Sequence, residues 1–184
     1  IFFTGKIDTR NNLKANNFCP ADVVQERTFQ DHKDPIDPFG NWIDGIHEWY
    51  KDKGSGESRI PPKEESPLCK EEFAAKKSQI QIVNPGTGSI ITDTQIPVQV
   101  QIESPNGIKK VEYFFGDTPR FVRNSPPFDQ GIIKIPKYTK LGEEYAIKVR
   151  ITDKYDYTAE SSITIKLGFP AAPGAPGLEL PFIQ

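Results

Sequence analysis

The stretch that decides the fold is Gln95–Glu103, which reads QIPVQVQIE. Apolar residues stand at every second position of this stretch, namely Ile96, Val98, Val100 and Ile102. Because successive side chains of a strand point to opposite faces, the segment buries one face and exposes the other. The same alternation returns in Tyr145–Ile151, where Lys148 and Arg150 take the polar positions. Both segments are therefore predicted to be half-buried strands.

More segments of this kind surround these two. Turn signals such as Asn84-Pro85-Gly86 separate them, since Pro fixes φ and Asn or Gly tolerates a positive φ. Evenly spaced strands with no helical pattern between them predict an antiparallel β-sandwich over residues 78–168. The predicted strands are Ile80–Val83, Ile96–Glu103, Lys109–Phe115, Phe121–Arg123, Gly131–Ile135, Tyr145–Thr152 and Thr158–Lys166.

The sequence on either side of residues 78–168 has a different character. Residues 1–50 are irregular, with one short strand predicted around Val23-Val24 and Phe29 and one short helix over Trp42–Tyr50. Residues 51–77 combine a Gly-, Ser- and Pro-rich linker with a second short helix. Residues 169–184 form a Pro/Gly-rich tail typical of an extended linker or disordered end. The predicted fold class is therefore mainly β, with an irregular segment before the sandwich.

Composition excludes several classes of function. The chain has 184 residues, with 23 basic and 25 acidic side chains and a net charge of -2. Nucleic-acid binding calls for a clustered basic face, so no nucleic-acid partner is expected. No apolar run reaches the roughly 20 residues of a membrane helix, so we expect no membrane contact within the chain. It contains no Met and begins at Ile1, which suggests a piece of a longer protein or a processed product.

Two cysteines, Cys19 and Cys69, are too few for a disulfide scaffold. They form one disulfide if the chain is exported, or two independent thiols otherwise. Sequence alone leaves both readings open because it does not place the Cα atoms.

We predict no catalytic residue, no cofactor and no metal site. Ser104-Pro105-Asn106 matches an S-x-N element of penicillin-interacting enzymes, but it lies at a predicted hairpin turn without S-x-x-K or K-[ST]-G. His47 is read as an ordinary helix residue rather than a base.

Two acidic groups of residues invite a metal reading and are assigned instead to loops and turns. One group is Asp31, His32, Asp34 and Asp37, where Asp-Pro steps indicate a solvated loop. The other is Asp153 and Asp156, whose alternative reading is a calcium site built from hard oxygen ligands. Asp is also a good turn residue, which is the reading we prefer here.

Three aromatic residues are candidates for a partner surface. Trp42 and Trp49 lie close to helical spacing, where they form a small satellite core or, alternatively, stack on a sugar ring. Phe114 belongs to the run Tyr113–Phe115, whose alternate members should face the core. That leaves Phe114 on the outer face, where a partner or the N-terminal segment would cover it.

The predicted sandwich resembles the bacterial Ig-like modules of cell-envelope and secreted proteins. The matching features are I-x-I-x-x-P-x-x-G from Ile80 to Gly88, the G-I-K-K-V-E-Y-F strand, Pro126–Phe128 and the V-R-I-T-D turn at Val149–Asp153. The family usually carries Gly in the turn after that Asp, where this chain has Asp156. This resemblance specifies fold rather than function.

A second resemblance concerns the first 30 residues. They look like the segment just after the transpeptidase domain of bacterial class A penicillin-binding proteins, which are peptidoglycan glycosyltransferases and transpeptidases. In that family an Ig-like or fibronectin-like module often follows. The matching positions are Thr4-Gly5, Asp8-Thr9-Arg10, Ala15, Cys19-Pro20 and Val24–Phe29.

The resemblances imply a non-catalytic accessory or spacer module at the C-terminal end of a peptidoglycan synthase. They imply an extracytoplasmic location in the cell envelope, with the parent protein anchored in the cytoplasmic membrane. The expected partners are the upstream catalytic domain and peptidoglycan or another cell-envelope protein. Two alternatives stay open: an Ig-like repeat of a bacterial surface adhesin, or an accessory module of a secreted carbohydrate-active enzyme.

Overall fold

The computed structural model describes residues 2–30, Gly45 and 61–168. Several predicted features lie outside these residues: the helix over Trp42–Tyr50, the acidic group from Asp31 to Asp37, most of the linker and the tail. Among the described residues, no helix is long and apolar enough to cross a membrane.

The described residues group into two compact units. Unit 1 contains the described residues up to Lys77, together with Ser104–Gly107 and Asp153–Thr158. Unit 2 contains Ser78–Glu103, Ile108–Thr152 and the residues from 159 onward. Two turns that sequence assigned to the sandwich therefore group with the N-terminal residues. The domain limits at residues 50, 77 and 168 stay predictions.

Unit 1 is built on a small antiparallel sheet. Strand β1 (Phe2–Asp8) lies between β2 (Leu13–Lys14) and β3 (Val24–Gln30). Every residue of β1 has a partner in β3, from Phe2 opposite Gln30 to Asp8 opposite Val24. Sequence predicted only one short strand here, because β1 contains Gly5 and Asp8, which are poor strand formers. A distant partner strand overrides that local preference.

Residues near Ser66 belong to the same unit. Lys14 N donates to Glu64 O over 2.9 Å, and Ser66 N donates to Lys14 O over 2.9 Å. Composition placed Ser66 at the end of a linker, but its side chain is buried. Helix α1 (Glu71–Ala75) follows, inside the range predicted for a short helix.

Unit 2 contains eight strands. Seven of them overlap the predicted strands, with ends that differ by at most three residues. The short β5 was not predicted, because two residues are too few to show an alternation of apolar and polar side chains. The strands are β4 (Gln79–Asn84), β5 (Ile90–Ile91), β6 (Gln95–Glu103), β7 (Ile108–Phe115), β8 (Thr118–Arg123), β9 (Gln130–Lys134), β10 (Glu144–Asp153) and β11 (Thr158–Leu167).

The strands form two sheets, with the orders β4-β6-β9 and β5-β11-β10-β7-β8. The first, second and fifth long strands thus make one sheet, and the third, fourth, sixth and seventh make the other. This division is that of an Ig-like sandwich whose fourth strand extends the second sheet, as the strand added after strand C does in variable-type domains. Side chains from both sheets share one buried core, which includes Ile96 and Val98 from the first sheet and Ile147 and Ile165 from the second. The predicted fold class, a mainly β chain with an Ig-like antiparallel sandwich, is confirmed.

Tyr145 adds a second mark of this architecture at the start of β10. Its hydroxyl accepts a hydrogen bond from Lys140 N over 3.1 Å and donates to Lys140 O over 3.2 Å. A tyrosine that bonds the backbone a few residues upstream, just as the sixth strand begins, is the tyrosine corner of Ig-like sandwiches. Its ring stacks on Phe115 with 5.0 Å between the ring centroids.

Candidate functional site

A fully buried carboxylate, that of Asp8, lies at the end of β1 in unit 1. Its side chain is 0% exposed, and the guanidinium of Arg10 forms a bidentate ion pair with it. Arg10 Nε donates to Oδ1 over 2.8 Å, and Nη2 donates to Oδ2 over 2.7 Å. The backbone N–H of Arg10 adds a third bond to Oδ1, over 3.0 Å. Such paired geometry is among the strongest that ionised side chains form.

Ser66 satisfies the other side of the same carboxylate. Its hydroxyl donates to Asp8 Oδ2 over 2.6 Å and accepts from Asn11 Nδ2 over 2.8 Å. Asn11 Oδ1 in turn accepts from Leu13 N over 3.0 Å, which holds the turn between β1 and β2. The Asp8 carboxylate thus ties together parts of the chain that are 58 residues apart.

These contacts set the protonation states of both partners. Burial alone would raise the pKa of Asp8, but the hydrogen bonds from Arg10 and Ser66 outweigh it and lower that pKa below its usual value. The hydrogen bond to Asp8 raises the pKa of Arg10, against the opposing effect of burial. Both groups therefore stay charged at neutral pH.

The disulfide between Cys19 and Cys69 lies against this ion pair. The two Cα atoms are 4.5 Å apart. Cys69 Sγ lies 3.3 Å from Asp8 Oδ2 and 3.3 Å from Arg10 Nη2. Asp8, Cys19 and Cys69 are close enough together to resemble a metal-binding cluster. However, metal ligation by cysteine needs a thiolate, and both sulfurs are already bonded to each other.

Arg10 also reaches the turn at Asp153–Thr158, which belongs to unit 1. Its Nη1 donates to Tyr155 O over 2.6 Å and lies 3.5 Å from Asp156 Oδ2. Asp156 has a φ of +67°, a left-handed conformation that Asp tolerates better than most residues. This is the position where the Ig-like modules usually carry Gly, so the turn keeps the conformation that Gly would supply.

Asp153 acts as a turn residue. Its Oδ1 accepts from Tyr155 N and Tyr157 N, each over 2.9 Å, and its Oδ2 accepts from Asn106 Nδ2 over 2.8 Å. Asp156 faces the Arg10 guanidinium. Both carboxylates that a calcium site would need, those of Asp153 and Asp156, therefore already have hydrogen-bond or ion-pair partners within the protein.

Ser104-Pro105-Asn106 forms the turn that sequence predicted. Gly107 N donates to Ser104 O over 2.9 Å, and Gly107 has a φ of +78°. Asn106 Nδ2 also lies 3.0 Å from Phe73 O and 3.2 Å from Lys76 O, next to α1. These bonds give the S-x-N element a structural role in unit 1.

The structure describes only one of the three residues predicted to form a partner surface. Trp42 and Trp49 lie outside the described residues. Phe114 is on the outer face of its strand, yet it is only 7% exposed. Lys148 Nζ lies 5.2 Å and Arg150 Cζ 5.5 Å from the centre of its ring. A partner at Phe114 stays a prediction, and such a partner would have to displace these two cations.

Sequence reasoning missed the buried Asp8–Arg10 pair. The available signal was the spacing Asp-x-Arg, which entered the sequence analysis only as part of a family resemblance. Nothing local shows that Ser66 and Cys69, about 60 residues away, complete the enclosure. As a whole, the network supplies rigid hydrogen bonding rather than a free acid or base.

Fold and site together define an Ig-like antiparallel β-sandwich that carries a disulfide-closed N-terminal unit. No family model and no curated protein matches the chain. Among solved structures it is similar to the fibronectin(III)-like modules of Clostridium thermocellum CbhA, with 20% identity and a TM-score of 0.42, over 49% of this chain and 96% of that one.

Two further solved structures are similar at lower identity. The endo-beta-1,4-mannanase from Thermotoga petrophila shares 11% identity with a TM-score of 0.40, over 86% of this chain and 30% of that one. CopC from Methylosinus trichosporium OB3b shares 9% identity with a TM-score of 0.34, over 51% of this chain and 97% of that one. These values carry no functional assignment, and the Ig-like class rests on the chain's own strand order and tyrosine corner.

Proposed function

We propose that the chain is the non-catalytic C-terminal accessory module of a bacterial peptidoglycan synthase and works outside the cytoplasmic membrane. One observation carries the proposal. The positions through which the first 30 residues resemble the segment after a penicillin-binding transpeptidase domain are the positions that build unit 1.

Four of those positions illustrate this. Gly5 lies so close to Phe29 that an added Cβ would stand 3.0 Å from the ring. Asp8 and Arg10 form the buried ion pair, and Cys19 forms the disulfide. The residues that carry the resemblance therefore include those that hold unit 1 together.

The disulfide supports the proposed location. Disulfides persist in oxidising compartments outside the cytoplasm and are rare in cytosolic proteins. Cys69 is 1% exposed and lies against the buried Asp8 carboxylate, whereas Cys19 is half-buried. An extracytoplasmic module of the cell envelope fits this chemistry.

The proposed partner of unit 1 is the upstream catalytic domain. Phe2 is 66% exposed and Phe18 39% exposed, although both are large apolar residues. Phe2 stands at the start of β1, so a preceding domain would lie beside it in the chain. Covering such a ring is worth about 1.5–3 kcal/mol.

The test begins with the coding sequence upstream of Ile1. It should contain S-x-x-K, S-x-N and K-[ST]-G, and a fluorescent penicillin should label the parent protein at the serine of S-x-x-K. Replacing that serine by Ala should abolish labelling, whereas Ser104→Ala in the same parent should leave it unchanged. Residues 1–184 alone should not be labelled.

Other upstream sequences would replace the proposal. A tandem array of similar modules would indicate an adhesin repeat. A hydrolase domain would indicate an accessory module of a carbohydrate-active enzyme.

A further inference from the structure

The outer face of the β4-β6-β9 sheet in unit 2 is unusually rich in glutamine. Strand register places residues that pair across strands on the same face, and the core-facing partners here are residues such as Ile80 and Ile102. The outward residues include six of the nine glutamines in the chain. These six define the glutamine face: Gln79, Gln81, Gln95, Gln99, Gln101 and Gln130.

Charge is nearly absent from this face. Charged residues make up 26% of the chain, but only Glu103 and Lys134 belong to this side of the sheet. Glu103 pairs with Gln79 at one end, and Lys134 pairs with Gln95 at the other. The whole middle of the face is therefore neutral, unlike the opposite sheet, where Lys148 and Arg150 take outward positions.

The six carboxamides are free to bind. All six glutamines are exposed. Within the part of the chain that the structure describes, none of their side chains makes a hydrogen bond to another protein group. Each carboxamide offers two N–H donors and a carbonyl acceptor, so the array matches a ligand that presents both donors and acceptors without charge.

An exposed apolar pair lies among the glutamines, in the half of the face formed by β6 and β9. Pro97 pairs with Ile132, and Ile132 is 52% exposed. The C–H faces of a pyranose ring are apolar while its hydroxyls point outward around the rim. A sugar ring lying on Pro97 and Ile132 would therefore direct its hydroxyls toward the neighbouring carboxamides of Gln99 and Gln130.

The outline of the face suits an extended ligand. The face is about 27 Å long, which is the length of β6. β4 pairs with one half of β6, and β9 pairs with the other half. A narrow, neutral, hydrogen-bonding strip of this length suits a linear chain laid along the strands.

We propose that the glutamine face binds an uncharged, linear polysaccharide along β6. The inference goes beyond the proposed function and does not depend on it, because it needs only unit 2 and holds whatever the parent protein is. The middle of the face offers no cation to an acidic polymer and no anion to a basic one, so neutral glycans are the preferred class.

The experiment follows the side-chain NH₂ signals of glutamine by NMR in the whole chain, residues 1–184. The probes are chitohexaose and cellohexaose, with hexagalacturonate as the charged comparison. With at least one neutral probe we expect saturable shifts of the signals of Gln99, Gln101 and Gln130. The NMR signals of backbone amides in the opposite sheet should not shift. Hexagalacturonate should shift none of the glutamine signals.

A matched pair of variants tests the location. Gln99→Glu with Gln101→Glu places two negative charges of nearly unchanged shape in the middle of the face. We expect this variant to bind the neutral probe at least about tenfold more weakly, since two hydrogen-bonding groups are altered. Ser162→Glu with Thr164→Glu adds the same charge to β11, on the opposite sheet, and should bind as the wild type does.

Four results would overturn the inference. They are no shift with either neutral probe at millimolar concentration, shifts centred away from the glutamine face, binding of hexagalacturonate with equal affinity, or shifts that follow protein concentration without any sugar. The last result would assign the face to a second copy of the chain.

Discussion

Asp8 shows how a single buried charge can be made stable. Taking a carboxylate out of water is costly unless bonds to the ionised form replace the lost hydration. Arg10 supplies three of those bonds and Ser66 a fourth, so both oxygens are satisfied. Removing one member leaves another buried and unpaired, which costs more than the pair contributes.

We predict that Asp8 makes unit 1 sensitive to acid. Its pKa is lower in the folded chain than in the unfolded chain, so the ionised carboxylate stabilises unit 1 above a pH of about 4. This contribution disappears as the pH falls through the folded pKa. Amide signals of β1 and β3 during urea unfolding, measured from about pH 6 to pH 2, should show the loss of stability.

The matched variant is Asp8→Asn, which cannot titrate. At neutral pH it should destabilise unit 1 by about 3 kcal/mol, because Arg10 loses the buried one of its two counterions and keeps only Asp156. Other carboxylates titrate in both proteins, so the difference between the two pH profiles isolates Asp8. Parallel profiles would contradict the assignment.

Tyr145 provides a second prediction for one residue. Tyr145→Phe removes the hydroxyl that bonds Lys140 and keeps the ring that stacks on Phe115. We expect unit 2 to lose about 1 kcal/mol of stability, measured by urea unfolding. Tyr138→Phe serves as the control, because Tyr138 is 97% exposed and its variant should unfold as the wild type does.

At the scale of elements, the sequence predicts the strands of unit 2 well and those of unit 1 poorly. In β6 and β10, apolar residues alternate with polar ones. This alternation reveals which face is buried, because the other face of each strand is exposed to solvent. β1 has no such pattern, and its pairing with β3 depends on a contact between distant segments. The enclosure of Asp8 by Ser66 and Cys69 escapes local reasoning for the same reason.

The hairpin turn between β10 and β11 carries a prediction about backbone conformation. Asp156 adopts a left-handed φ, which costs an ordinary residue about 1–2 kcal/mol and costs Gly almost nothing. Asp156→Ala and Asp156→Gly both lose the ion pair with Arg10. We therefore expect the Gly variant to be more stable than the Ala variant by about 1 kcal/mol in urea unfolding.

Asp117 is the control for this comparison. It is exposed and has no positive φ, and its pairing with Lys148 is lost equally in both variants. There, Gly should be no more stable than Ala, since Gly adds freedom to the unfolded chain. A Gly advantage at both positions would mean that the conformation of Asp156 is not the cause.

At the scale of the whole molecule, unit 2 holds a complete apolar core of its own. Every member of the buried core cluster lies between Ile82 and Leu167, and it draws on both sheets. We therefore expect Ser78–Gly168 produced alone to fold and to melt in one cooperative transition. The measurement is a thermal melt with an NMR spectrum. A spectrum of an unfolded chain would show that unit 2 depends on the N-terminal residues.

Val149→Asp in that shortened chain tests whether this core holds it together. Val149 is 0% exposed, and an unpaired charge there costs several kcal/mol, comparable to the stability of a small domain. The variant should be unfolded at room temperature. Val122→Asp is the matched control, since Val122 is 44% exposed, and it should stay folded.

The bond between Cys19 and Cys69 has one more consequence, which concerns covalent connectivity. It closes a covalent ring of the chain, and the two cysteines are 50 positions apart in the sequence. A single backbone cleavage between them cannot release either half, so a protease would produce a two-chain molecule that keeps every amino acid of the original. Its mass would rise by that of one water, and only a reductant would separate the pieces.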